Sequence, residues 1–182
     1  MILPIHLLGN PMLRKKSLEC EEPIEVLKPL IADMFETMYQ ARGVGLAAPQ
    51  IGKSIRLFVI DSEPFKETYP DVELYKGAFI NPEILNQFGD DFTFNEGCLS
   101  LPDVHEDVTR KSEIEVKFMD ENGKIRHEKF KGYVARIIQH EYDHLEGQVF
   151  TDKISGLRKM MLKRKLTDIS NGRAKTDYKI KL

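Results

Sequence analysis

The feature that most constrains the fold is His140-Glu-Tyr-Asp-His144, because a helix would let its two histidines share one metal ion. Residues four apart on an α-helix differ by about 40° around its axis, so both imidazoles project from one side. The intervening Glu141 falls on the apolar stripe of this helix, where a carboxylate is costly without a compensating charge. A glutamate beside the first histidine can also act on a water that the metal activates. The pattern therefore predicts a metal site on a helix at residues 132–145.

A catalytic metal site typically has three protein ligands, so a third donor must come from elsewhere in the chain. The metzincin pattern requires a third histidine at position 150, but that residue is Phe150. Thermolysin-like enzymes use a downstream glutamate. Glu146 lies too close to His144 to serve, and beyond it the acidic residues are Asp152, Asp168 and Asp177.

The best remaining donor is Cys98, in the segment Glu96-Gly-Cys-Leu-Ser-Leu-Pro102. A cysteine would bind as the thiolate, and Gly97 allows the backbone to turn or approach closely. The other cysteine and the remaining histidines have no comparable context, and we expect surface or packing roles for Cys20, His6, His105 and His127.

The pattern of apolar residues predicts an α+β fold, with antiparallel β-sheets packed around a central metal-binding helix and with N- and C-terminal helices. Apolar residues recur at helical spacing over residues 24–41, and a third, basic helix is expected at 156–167. Strands are predicted at 55–60, 77–85, 92–95, 98–101, 105–109, 113–119 and 124–130, with a final short one at 178–182. Asn122-Gly123 predicts a hairpin turn, and we treat residues 1–182 as one domain.

Charge is distributed unevenly along the chain. Residues 153–182 hold ten basic and two acidic side chains, which gives +8, whereas the net charge of the 182 residues is −2. This segment therefore either binds a polyanion or forms a solvated surface. With only two cysteines, no signal-like leader and no long apolar run, we expect a cytoplasmic protein without a membrane partner.

A glycine-rich segment, Gly43-Val-Gly-Leu-Ala-Ala-Pro-Gln50, superficially matches a dinucleotide-binding fingerprint. A predicted helix precedes it where that motif requires a strand, and Pro49 stands where the phosphate-binding helix should begin. We therefore reject a nucleotide site.

Three separate blocks are similar to the signature motifs of peptide deformylases: residues 43–50, Glu96-Gly-Cys-Leu-Ser100, and Gln139-His-Glu-Tyr-Asp-His-Leu-Glu-Gly147. Enzymes of this family remove the N-formyl group from the initiator methionine of nascent polypeptides in bacteria and organelles. The resemblance implies that Cys98, His140 and His144 hold one divalent metal ion. That ion would be Fe²⁺ in the cell, with Zn²⁺, Ni²⁺ or Co²⁺ possible in preparations.

The resemblance also implies roles around the metal. Glu141 would be the general base and then the general acid, Gln50 and the backbone N–H of Leu99 would stabilise the oxyanion, and Gly45 would bind the substrate backbone. An apolar slot for methionine is expected to be lined by Tyr133, Arg136 and Ile137, with the guanidinium of Arg136 reaching solvent or substrate.

The expected partners are nascent peptides that begin with formyl-methionine and, through the basic C-terminal segment, the ribosome; we expect no DNA partner. Two other functions remain compatible with the residues. A zinc endopeptidase or aminopeptidase would use the same helix, and a ribosome-associated factor could retain a structural metal. The latter is disfavoured because structural zinc usually has four protein ligands. The deformylase subclass stays open, because Leu101-Pro102 and a terminal strand at 178–182 point to different subclasses.

Overall fold

The computed structural model describes all 182 residues and has three α-helices and seven β-strands. The helices are α1 (Ile24–Gln40), α2 (Gly132–Leu145) and α3 (Gly156–Ser170). The strands are β1 (Ile5–His6), β2 (Gly45–Ala47), β3 (Leu57–Asp61), β4 (Lys76–Cys98), β5 (Leu101–Met119), β6 (Ile125–Lys131) and β7 (Ile180–Lys181). No helix combines the length and apolar character needed to cross a membrane.

Five strands form one antiparallel sheet in the order β2-β3-β4-β5-β6, so each strand pairs with its neighbour in sequence. The Asn122-Gly123 turn joins β5 to β6, as predicted. A second, two-stranded sheet pairs β1 with β7 in parallel, with Ile5 opposite Ile180. The two ends of the chain therefore meet in this small sheet.

The sheet separates two apolar cores, and β3 shows how. All five residues of β3 are buried, and alternate side chains of a strand point to opposite faces. Leu57 and Val59 pack in the core beneath α1, while Phe58 and Ile60 pack in the core around α2. A third core joins the N-terminal segment, β5 and α3. The predicted α+β fold with α2 against the sheet is confirmed.

The prediction of several short strands between residues 77 and 119 is wrong. β4 has 23 residues and β5 has 19, and they form one long hairpin with four register shifts. Such bulges let a strand continue through turn-forming residues, here Asn86-Gln-Phe-Gly-Asp-Asp91, that otherwise indicate a loop. The expected strand at 98–101 is instead the tight turn at Leu99-Ser100 between β4 and β5.

Candidate active site

Helix α2 presents both histidines towards the end of β4. The side chains of Cys98, His140 and His144 bring their ligand atoms within 4.8 Å of one another, and the Cys98 sulfur lies 3.3 Å from Nε2 of His144. Ligands of a tetrahedral ion at about 2.0–2.3 Å would be separated by roughly 3.5 Å. The separations and the donor types therefore fit one divalent metal ion with three protein ligands.

Glu96 orients the first histidine. The Nδ1–H of His140 donates to Oε2 of Glu96 at 2.8 Å, which leaves the Nε2 lone pair for a metal. Burial opposes ionisation of Glu96, but hydrogen bonds from Arg110 and His140 hold its pKa below its usual range. Glu96 therefore stays a carboxylate although it is almost fully buried.

The Cys98 sulfur and the Glu96 carboxylate favour a positive charge at this site. Burial alone would lower the pKa of His140, but the Cys98 sulfur and the Glu96 carboxylate raise it well above its usual value. Burial lowers the pKa of His144, and the neighbouring His140 lowers it further. A neutral His144 is the form that can donate a lone pair to a metal.

Glu141 lies on the same helix turn and in the wall of the cavity. Burial raises the pKa of its carboxyl group to about 7, against the opposing charge of His140. Its Oε2 atom is buried without a hydrogen-bond partner in the protein. Glu141 thus combines a buried carboxyl group with a free acceptor beside the ligand cluster, as a proton-transfer group requires.

Gln50 and Leu99 line the cavity on the side of Cys98. The Ala47 N–H donates to Oε1 of Gln50 at 2.8 Å, which fixes the amide so that Nε2 faces the Cys98 sulfur at 3.6 Å. The Leu99 N–H makes no backbone hydrogen bond, because Leu99 lies in the turn between β4 and β5. Both groups are hydrogen-bond donors close to the metal ligands.

A cavity of about 810 Å³ opens over this cluster. Ile137 and Gly45 line it, and Phe65 and Phe94 contribute apolar walls that were not predicted from the sequence. Only their aromatic character in an otherwise polar stretch could have indicated these two residues.

Two expectations about the cavity wall are wrong. Arg136 borders the cavity, but it is 2% exposed and its Nη1 donates to Glu96 at 2.8 Å, so its guanidinium does not reach solvent. Tyr133 lies behind the wall, stacked on Tyr69 at 4.3 Å between ring centres, and does not line the cavity. His105 is exposed and packs against Gly97, in agreement with the expected surface or packing role, and it also forms part of the cavity wall.

The residues that support the ligands were not predicted from the sequence. Arg110 donates to Glu96 through Nε at 2.7 Å and to Asp143 through Nη1 at 2.7 Å, and so ties β5 to α2. Residues 175–178, near the C-terminus, form another part of the cavity wall. A charged residue at a buried position of an alternating strand was the signal for Arg110, whereas the sequence contained no local signal for the C-terminal contribution.

Comparisons with known proteins find similar sequences and similar structures. The family profile described as polypeptide deformylase matches residues 2–160. A peptide deformylase of Flavobacterium psychrophilum is 48% identical over 189 residues, covering 100% of this chain and 97% of the relative. A crystal structure of a peptide deformylase from Legionella pneumophila is 41% identical with a TM-score of 0.81, over 97% of this chain and 99% of that one. Another from Synechococcus elongatus, in complex with actinonin, is 36% identical with a TM-score of 0.77, over 98% of this chain and 92% of that one.

Proposed function

The chain belongs to the peptide deformylase family, whose members remove the N-formyl group from nascent polypeptides, and on this premise we propose how its own residues perform the hydrolysis. Cys98, His140 and His144 hold one divalent metal ion. The observation that carries this assignment is the convergence of their ligand atoms within 4.8 Å at the base of the cavity. A bound divalent ion supplies Lewis-acid chemistry at such a site.

Glu141 moves the proton in this proposal. Its carboxylate accepts a proton from the attacking water and delivers it to the amine that leaves when the C–N bond of the formyl amide breaks. The products are formate and a peptide with a free N-terminal amine. The position of Glu141 in the cavity wall, with Oε2 unpartnered and buried, supports this role.

Gln50 and Leu99 stabilise the charge that develops on the formyl oxygen. Gln50 offers Nε2–H, fixed in direction by Ala47, and Leu99 offers its backbone N–H. One preorganised donor of this kind contributes about 10²–10³ in rate. Both donors lie on the Cys98 side of the cavity.

The substrate chain lies along Gly45, with the methionine side chain against Ile137. Both residues line the cavity, whereas Tyr133 and the guanidinium of Arg136 support its walls from behind. A formyl group is the smallest acyl group, so a narrow pocket discriminates against larger ones by steric exclusion.

We propose Fe²⁺ as the ion in the cell, with Zn²⁺, Ni²⁺ or Co²⁺ replacing it in preparations. A thiolate with two imidazoles accommodates each of these ions, so the donor set alone does not select among them. Metal analysis of protein purified without oxygen, compared with protein purified in air, tests the assignment. Iron in the first preparation and its loss in the second is the expected result.

The decisive experiment measures formate release from a short formyl-methionyl peptide, without oxygen and with Fe²⁺ present. The unformylated peptide is the control substrate, and Glu141→Gln is the control variant. We expect Glu141→Gln to keep its metal but lose about 10²–10⁴ in kcat. Absence of formate from the parent protein with metal bound would contradict the proposal, and cleavage of the unformylated peptide would indicate a peptidase instead.

The basic helix α3 provides a surface for the ribosome, where the substrates emerge into the cytoplasm. Some of its charges stabilise the fold: Arg158 pairs with buried Glu106, and Lys159 with Asp152. Lys163 and Arg164 are exposed and form no ion pair within the chain. These two cations are therefore the ones we assign to ribosomal RNA, whose phosphates attract basic side chains.

A further inference from the structure

The turn that carries Leu99 is held by both ends of the chain. The Tyr178 O–H donates to the carbonyl oxygen of Leu99 at 2.8 Å, and the Leu8 N–H donates to the carbonyl oxygen of Ser100 at 2.9 Å. These two donors stand next to the paired terminal strands β7 and β1. The turn is therefore fixed by segments that are distant from it in sequence.

Tyr178 is held in place by the packing of its ring and by the strand pairing that follows it. Its ring is partly buried and packs against the same apolar core as Leu99, and burial raises the pKa of its phenol, which keeps the O–H protonated. Two residues later, Ile180 pairs with Ile5. Tyr178 also lies in the cavity wall, although the family profile ends at residue 160.

The hydrogen bond to the Leu99 carbonyl restrains the Leu99 N–H. The N–H belongs to the peptide unit shared with Cys98, and the carbonyl belongs to the next unit, so the two are linked by rotations at a single residue. Cys98 fixes one side of this residue as a metal ligand, and Tyr178 fixes the other. The Leu99 side chain meets Gly43, where an added Cβ would lie 2.8 Å from Cδ1 of Leu99.

We propose that Tyr178 is a positioning residue for deformylation, which holds the Leu99 peptide where its N–H meets the developing oxyanion. The inference rests on the role proposed above for Leu99. Oxyanion donors act only within about 2.7–3.1 Å of the oxygen, and a displacement near 1 Å is costly in rate. The C-terminal segment from residue 171 onward therefore contributes to catalysis through Tyr178.

The test is Tyr178→Phe, which keeps the ring in its core and removes only the hydroxyl. We expect kcat to fall by about 3- to 10-fold, the range that loss of one neutral hydrogen bond supplies, with KM changed by less than about twofold. Tyr39→Phe is the matched control, because its hydroxyl donates to Asp61 at 2.6 Å and does not line the cavity. Its kcat should equal that of the parent protein.

A second measurement separates positioning from general stability. In metal-free protein, amide hydrogen exchange over residues 96–101 should be faster in Tyr178→Phe than in the parent, and unchanged in Tyr39→Phe. A lower Tm of Tyr178→Phe with unchanged kcat would overturn the inference, as would unchanged exchange in this segment. A different result would indicate that the proposed function is wrong. In that case the parent protein would release no formate, whereas amide exchange over residues 96–101 would still be faster in Tyr178→Phe than in the parent.

Discussion

The backbone of Gly45 leaves no space for a side chain beside Glu141: a Cβ atom built on Gly45 would lie 2.7 Å from Cδ of Glu141. Glu141 is buried on helix α2, so its carboxylate has little freedom to move aside. We expect Gly45→Ala to displace this carboxylate and to lower kcat by about 10²-fold, the cost of a misplacement near 1 Å. Formate release from a formyl-methionyl peptide measures the effect.

Gly156→Ala is the control for that substitution. A Cβ at Gly156 has no neighbouring atom within 4 Å, and Ala is the better residue in the first turn of α3. This variant should keep the kcat of the parent protein. Equal kcat values for the two variants would show that the contact between Gly45 and Glu141 has no part in the reaction.

Glu96→Gln should weaken metal binding. The substituted amide would keep the shape of the side chain but lose the charge that orients His140, and such supporting groups typically contribute 10- to 100-fold in metal affinity. The same change leaves the buried Arg110 and Arg136 without their carboxylate, so unfolding free energy should fall by about 3–5 kcal/mol. Metal titration and urea unfolding of the metal-free protein measure the two effects.

Asp143→Asn separates these two effects. Asp143 also pairs with Arg110, at 2.7 Å, but its carboxylate does not contact His140. The variant should lose stability and keep the metal affinity of the parent protein. Weakening of the metal affinity in both variants to the same degree would refute the orienting role of Glu96.

The metal helix could be predicted because its information is local. The spacing of His140 and His144 predicts both a helix and a metal site, and the observed α2 has the predicted bounds, Gly132–Leu145. Cys98 could be found because the site needed one more ligand. The roles of Gln50, Leu99 and Gly45 followed from motif resemblance, and these roles and the metal-ligand role of Cys98 stay predictions until they are tested.

Features that depend on contacts between residues far apart in the sequence could not be predicted from it. Arg136 turns inward because Glu96, forty residues away, attracts its guanidinium, and no local pattern indicates that pairing. The long strands β4 and β5 pass through turn-forming residues because each strand supplies hydrogen bonds to the other. Tyr178 lies in the cavity wall through contacts with residues distant in sequence, and two residues later β7 pairs with β1.

The stability of the protein should depend on the ionisation of Asp152 at low pH. Burial opposes ionisation of this carboxyl group, but hydrogen bonds from Arg14 and the Val149 N–H lower its pKa below 3.8. A lowered pKa in the folded state stabilises the protein above pH 3.8, and this contribution is lost as the pH falls through the folded value. Asp152→Asn should therefore lose about 1 kcal/mol of unfolding free energy at pH 7, after allowance for screening.

Urea unfolding of metal-free protein at several pH values measures that difference. The gap between the parent protein and Asp152→Asn should begin to shrink below about pH 5 and disappear once the pH has fallen through the folded pKa of Asp152. Asp91→Asn is the control, because Asp91 forms an exposed ion pair with Lys111 in which both side chains are largely solvated. A gap for Asp152→Asn that stays constant with pH would exclude ionisation as its cause.

Charge reversal at Lys163 and Arg164 should weaken ribosome binding without affecting hydrolysis of small peptides. Arg158 and Lys159 are unsuitable targets, because their pairs with Glu106 and Asp152 contribute to folding. If each of the two cations meets one phosphate, the slope of log affinity against log salt concentration should become shallower by about 2. Ribosome co-sedimentation over a salt series measures this slope.

The matched control reverses Lys117 and Lys124, which are exposed on β5 and the following turn and change the net charge of the protein by the same amount. If overall charge alone governed ribosome binding, both double variants would lose affinity equally, and the assignment to α3 would fail. If α3 is the docking surface, only the Lys163 and Arg164 variant should lose affinity. Both variants should keep the parent kcat on a short formyl-methionyl peptide, because neither pair of residues lines the active-site cavity.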